Sequence, residues 1–206
     1  PQEKLETNEE VITGNKEVKD YEIIEAANLK NYPSFISINK SKITKTLKQN
    51  PFIKDVQIKK NFKFQITINV TEEKVVAYNL TNQSYLLSNG TYINDKNFLG
   101  VPQLNNYTPE DVLKNFAEEL GKLDEDIIAD ISEIEYSPSK NETGETIDST
   151  RFKLKMKDGN TVYINVKKCN VLSYYNQIYA SLKDKKGVLN LDSGNYERYV
   201  LTLYEE

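Results

Sequence analysis

Six carboxylates crowd into one short stretch, Asp124, Glu125, Asp126, Asp130, Glu133 and Glu135, the only dense acidic group in the chain. Carboxylates gathered this way could hold a divalent cation or share a proton as an acid/base pair. The central glycine and terminal glutamate of a calcium loop are missing, however. The charges fall at a helix end and on the wet face of a strand, which reads as solvated surface. Glu72-Glu73 is a second pair, placed at a strand end where carboxylates are ordinarily solvated. Histidine is absent, which removes Ser-His-Asp and Cys-His catalysis together with every histidine metal site. The single cysteine, Cys169, lies near Val166 and Val171 and reads as a small buried hydrophobe. No phosphate-binding glycine loop and no nucleophile elbow is present, and Asp192-Ser193-Gly194 reads as a turn. The expectation is no catalytic residue, no metal and no cofactor.

Charge points elsewhere. The 206 residues carry a formal charge of −4, which argues against a general nucleic-acid binder. Yet residues 41–70 hold Lys42, Lys45, Lys48, Lys54, Lys59, Lys60 and Lys63 against one acid, Asp55. Lys42, Lys45, Lys59, Lys60 and Lys63 are candidates for contact with an anionic membrane surface or wall polymer. The plainer alternative is a solvated helix and strand face. No apolar run approaches the length of a membrane span. The chain starts at Pro1 rather than a methionine, so a preceding targeting or anchoring segment is expected.

The elements around these residues begin with a strand at Glu10–Thr13 that ends on Gly14-Asn15. Asp20 opens a helix with Ile23, Ile24, Ala27 and Leu29 as its apolar stripe, broken at Tyr32-Pro33. A second helix spans Ser37–Gln49, with Ile38, Ile43 and Leu47 inward. From Asn50 to Tyr78 the pattern is a β-hairpin: Phe64, Ile66, Ile68 and Val70 alternate with Gln65, Thr67, Asn69 and Thr71. Its apolar face needs helices over it, which gives a β-α-α-β-β unit over residues 1–78.

Residues 79–206 read as a larger mixed β-sheet domain with flanking helices, making the whole an α+β protein. Ser84–Leu87 and Thr91–Ile93 flank the hairpin signal Asn89-Gly90. Phe98–Leu104 is an irregular passage. Thr108 is placed as N-cap of a helix running to Leu120, with Pro109 at its first position. Ile131–Tyr136 is a strand, and Ser137–Ser149 is a polar hairpin tip. Phe152, Leu154 and Met156 alternate into the Asp158-Gly159 turn, and Thr161–Val166 returns antiparallel. Asn170 caps a helix to Leu182, in which Tyr174, Tyr175 and Tyr179 serve core and interface. Gly187–Leu191 and Tyr196–Tyr204 are the last strands.

The final strand, aromatic and β-branched, is either a sheet edge or an internal or protected strand. As an edge it would template a partner chain by strand addition.

The residues Val11, Gly14-Asn15, Ile23, Pro51-Phe52-Ile53-Lys54, Val56, Phe62, Ile66, Ile68, Glu72 and Ala77 carry a resemblance. In that order they resemble a POTRA domain of the FtsQ/DivIB family. Tyr85-Leu86-Leu87, Asn89-Gly90, Val101-Pro102-Gln103-Leu104, Lys157-Asp158-Gly159 and Gly187-Val188-Leu189-Asn190-Leu191 are similar to that family's second, β-rich domain. The resemblance implies a membrane-anchored, extracytoplasmic scaffold of the bacterial divisome. Its implied partners are FtsL-type and FtsB/DivIC-type proteins, with septal penicillin-binding protein and cell wall also in reach. Its implied location is the plasma membrane at the division septum, and its implied role is regulation of septal peptidoglycan synthesis. Carried onto this chain, the partner-receiving surface is Leu189, Leu191, Ser193, Asn195, Tyr196 and Tyr199. The competing readings are a POTRA-type chaperone or secretion module and a cell-wall-binding domain.

Overall fold

The computed structural model describes residues 9–31, 33–183, 185–193 and 200–204. The chain divides into two compact units between Lys74 and Val75. The sequence boundary after Tyr78 kept Val75–Tyr78 with the first unit. These residues pair instead with strands of the second sheet, because hydrophobic alternation alone does not say which neighbour a strand will take.

The first unit is built in the order β1 (Glu9–Thr13), α1 (Asp20–Ala26), a 3-10 turn (Phe35–Ser37), α2 (Lys40–Leu47), β2 (Ile53–Lys60) and β3 (Gln65–Glu72). The sheet order is β1-β3-β2, with β1 parallel and β2 antiparallel to β3. The expected alternation holds: Ile66, Ile68 and Val70 are buried beneath Ile23, Ala27, Leu29, Ile43 and Leu47 of the helical layer. Asn39 caps α2 by accepting from the Lys42 N–H at 3.1 Å.

Phe64 departs from the alternation. It lies in the β2–β3 turn with φ +61° and meets Phe35 edge-to-face at 5.4 Å. Asn61 braces this turn by accepting from the N–H groups of Lys63 and Gln65. Gly14, at φ +83°, lets the chain leaving β1 pass against β3, since a Cβ there would lie 2.0 Å from the Val70 carbonyl oxygen. Glu72 is not a solvated strand-end carboxylate. Its two oxygens accept the backbone N–H groups of Glu17 and Val18, each at 2.9 Å, and so tie the loop before α1 to the end of β3.

The second unit holds β4 (Val75–Asn79), β5 (Ser84–Leu87), β6 (Tyr92–Ile93), β7 (Gln103–Leu104), α3 (Glu110–Gly121), α4 (Glu125–Ala129) and β8 (Ile131–Tyr136). It continues with β9 (Ser139–Lys140), β10 (Thr146–Asp148), β11 (Arg151–Met156), β12 (Thr161–Asn165), a 3-10 segment (Val166–Tyr174), α5 (Tyr175–Ser181), β13 (Gly187–Asn190) and β14 (Val200–Leu203). Among the described residues, nine of these strands form one mixed sheet in the order β14-β13-β12-β11-β8-β7-β4-β5-β6, while β9 and β10 pair separately.

Phe116 of α3 stacks on Phe152 of β11 with ring centroids 3.8 Å apart, at the centre of a core that includes Leu104, Leu120, Ile134, Val162 and Leu172. The hairpin signals hold: Gly90 and Gly159 take positive φ between antiparallel strands. The irregular passage contains β7, a two-residue strand parallel to both β4 and β8. Pro109, not Thr108, is the N-cap of α3, and the buried Thr108 hydroxyl has no hydrogen-bond partner. Asn165, not Asn170, caps the segment before α5 through the Lys168 N–H, and that segment winds as 3-10 helix to Tyr174.

Cys169 is fully buried, and burial pushes its thiol up to about 12. Two outcomes are expected. Cys169 resists aqueous disulfide reagents at neutral pH in the native protein and reacts fully in denaturant, as a thiol titration would show. Glu72→Ala, which strands two backbone donors, costs about 1–3 kcal/mol in urea unfolding of the first unit.

Candidate partner-binding site

The C-terminal edge of the second sheet is assembled from a parallel crossover and one antiparallel strand. β13 lies parallel to β12, pairing Val162 with Leu189 and Tyr163 with Asn190. A parallel pair needs a covered crossover, and residues 166–186 supply it with the 3-10 segment and α5. β14 then runs antiparallel on β13, pairing Gly187 with Leu203 and Asn190 with Val200, and is outermost among the described strands of the sheet. Gly187 permits this approach, because a Cβ there would lie 2.1 Å from the Thr202 carbonyl oxygen.

Two polar groupings hold the edge. Asn160, 1% exposed, accepts the Gly187 N–H at 3.0 Å and donates to the Tyr175 hydroxyl at 3.2 Å. Tyr175 donates in turn to Asp158 at 2.6 Å, and burial together with this hydrogen bond raises its hydroxyl pKa far above the usual tyrosine range. On the opposite, wetter face, Arg151 of β11 lies over the Tyr163 ring at 3.7 Å and donates from Nε to Asp192 at 2.7 Å. Both charges are largely buried, and Asp192 Oδ1 is a buried oxygen without a partner. Arg151, Tyr163 and Asp192 therefore clamp β11, β12 and the chain leaving β13.

The six expected receiving residues divide. Leu189 and Leu191 are each 1% exposed and belong to the core, so their side chains are not a contact surface. Strand alternation turns both inward, while the backbone of β13 is engaged by β12 and β14. Ser193 is exposed just past the clamp. Asn195, Tyr196 and Tyr199 lie outside the described residues. The exposed side chains on the described edge are Thr202, Leu203 and Tyr204, with Tyr204 sharing a 2.6 Å hydrogen bond with Thr161.

The five candidate lysines divide as well. Lys42, Lys45, Lys59 and Lys63 are exposed. Lys60 is not available to an anion. Its ammonium donates to the carbonyls of Phe35 and Ile38, both at 2.8 Å, and lies 5.0 Å from the Phe35 ring centroid. Burial, with the charge of Lys40, lowers its pKa. Strand parity explains the difference: Lys60 shares the covered face of β2 with Val56, whereas Lys59 lies on the open face. In the acidic stretch, Glu133 pairs with Lys155 at 2.9 Å and Glu135 with Lys153 at 3.6 Å, cross-strand contacts of an ordinary wet face.

The fold is thus a three-stranded sheet covered by two helices, followed by a larger mixed sheet with helices. The model of the FtsQ-type POTRA domain matches residues 9–73. The cell division protein DivIB of Listeria monocytogenes is 30% identical over 193 residues, covering 90% of this chain and 69% of that protein. DivIB of Bacillus subtilis is 31% identical over 193 residues, covering 90% and 71%. The chain belongs to the DivIB family of cell-division proteins, and that membership supports a role in the division machinery. A solved structure, the major extracytoplasmic domain of the trans isomer of DivIB from Geobacillus stearothermophilus, matches 55% of this chain and 96% of that one. It does so at 24% identity and a TM-score of 0.43. Among the described residues, no helix is long and apolar enough to cross a membrane.

Two substitutions test the edge. Gly187→Ala forces β14 off β13, so hydrogen exchange should accelerate in residues 200–203 while β11 and β12 stay protected. Arg151→Ala leaves the Asp192 carboxylate buried without its cation and should cost about 3 kcal/mol in denaturant unfolding.

Proposed function

We propose that this chain is the extracytoplasmic, non-enzymatic part of a septal membrane scaffold, and that it receives a partner segment by strand addition at β14. The observation that carries the reading is the position of β14. Among the described residues it is the outermost strand of the sheet, so one row of its backbone donors and acceptors faces away from β13. Such a row binds an extended peptide through main-chain bonds, and the flanking side chains select its sequence. Family membership supports partners from the division machinery, of which FtsL-type and FtsB/DivIC-type ectodomains are the proposed ligands. Through them the scaffold would help regulate septal peptidoglycan synthesis alongside the septal penicillin-binding protein. Ser193, Asn195, Tyr196, Tyr199, Thr202 and Leu203 are the proposed contact positions, with Leu189 and Leu191 supporting them from the core.

Calorimetric titration of the chain with FtsL-type and DivIC-type ectodomains of the same organism tests this. The expected result is saturable binding that persists at about 0.3 M salt, where lysine-driven attraction is screened. The Tyr196→Ala/Tyr199→Ala pair should weaken it by about ten-fold, the loss typical of interface aromatics. Unchanged affinity in that double variant removes the edge as the binding mode. No binding to either partner, alone or mixed, shifts the assignment to a wall-binding or chaperone role.

A further inference from the structure

One end of the first unit carries two protruding apolar side chains on polar turns. Ile36, on the 3-10 turn before α2, is 76% exposed, and Phe62, in the β2–β3 turn, is 89% exposed. The two turns form one rigid body. Phe35 and Phe64 meet between them, Lys60 bonds two carbonyls of the first turn, and Asn61 braces the second. Lys40, Lys59 and Lys63 are exposed around this end.

From residue 33 to residue 71 the only acid is Asp55, and it lies at the start of β2, paired with Lys48 at 3.0 Å. That ion pair is at the opposite end of the sheet from the β2–β3 turn. Among the described residues Glu9 is an acid at this end, and its carboxylate accepts from Gln65 at 2.6 Å. Because β1 is parallel to β3, the chain enters the sheet at Glu9 from this same end.

We propose that these paired turns are a membrane-surface foot. Ile36 and Phe62 enter the interface of an anionic bilayer, and Lys40 and Lys59 meet its headgroups. Charge complementarity selects the anionic surface, and lysines beside inserted apolar groups hold their ammonium groups in the headgroup layer. The two side chains are 76% and 89% exposed, and the charged side chains exposed around them are lysines. A fluid interface accepts such protrusions without complementary shape. The proposal does not rest on strand addition at β14, since it uses no residue of the second unit.

The chain contains no tryptophan, so Phe62→Trp supplies a single reporter in the intact protein. Tyr107→Trp, at an exposed position in the second unit, is the control. The probes are vesicles of phosphatidylcholine alone, vesicles equimolar in phosphatidylcholine and phosphatidylglycerol, and soluble polyglutamate. The expected result is a blue shift and protection from acrylamide for the residue-62 reporter on anionic vesicles only, with the control unmoved. In sedimentation with the same vesicles, Ile36→Ser/Phe62→Ser should partition at least about a hundred-fold less, the effect of losing two buried apolar side chains. Both positions are exposed, and circular dichroism checks that the fold is kept. A reporter that stays in water on anionic vesicles overturns the proposal. So does a shift with polyglutamate, which would mark an acidic protein as the partner, and so does equal partitioning of the serine variant.

Discussion

The C-terminal edge hangs on one buried amide. Asn160 sits where the β11–β12 turn, the crossover helix α5 and the first residue of β13 converge, and it bonds to two of them. A parallel strand has no tight turn to set its register, so something else must fix where it begins. Here that something is the Asn160 carbonyl on the Gly187 N–H, with Tyr175 and Asp158 locking the amide's orientation. Buried polar networks specify a structure when every member is satisfied, and this one is. β13 starts at that point, Gly187 lets β14 lie close, and the position of the outer strand follows.

The first unit shows the same economy with charge. Lys60 and Glu72 look in the sequence like members of a basic patch and a solvated acid pair. Both bond to backbone. Lys60 fastens the turn before α2 to the hairpin, and Glu72 fastens the loop before α1 to the far end of β3. The helical layer is thus pinned to the sheet at two ends by long side chains, in addition to the apolar contacts of Ile23, Ile43 and Leu47 beneath it.

How much could be read from the sequence follows from which interactions are local. The period-two pattern of Ile66, Ile68 and Val70 is local, and so are Asn89-Gly90 and Asp158-Gly159; all three gave correct elements. Phe64 has the residue type of a strand yet lies in the turn before β3. Its left-handed backbone depends on Asn61 and on the ring of Phe35, a distant residue. β7 has two residues and no pattern, and it exists because β4 and β8 flank it. The position of β14 in the strand order is a global property, so composition alone left edge and interior equally open. Leu189 and Leu191 alternate with Val188 and Asn190, a pattern that turns them inward and away from a receiving surface.

β7 has a mechanical meaning as well. Two residues, Gln103 and Leu104, join the β4–β6 block to the β8–β14 block, each pairing once on either side. The flanking antiparallel ladders, β4–β5 and β8–β11, are longer. The sheet is therefore two sturdy panels stitched by a narrow seam. A tensile load applied through a strand added at β14 would travel across four neighbouring ladders before reaching that seam, and the seam would part before the panels did.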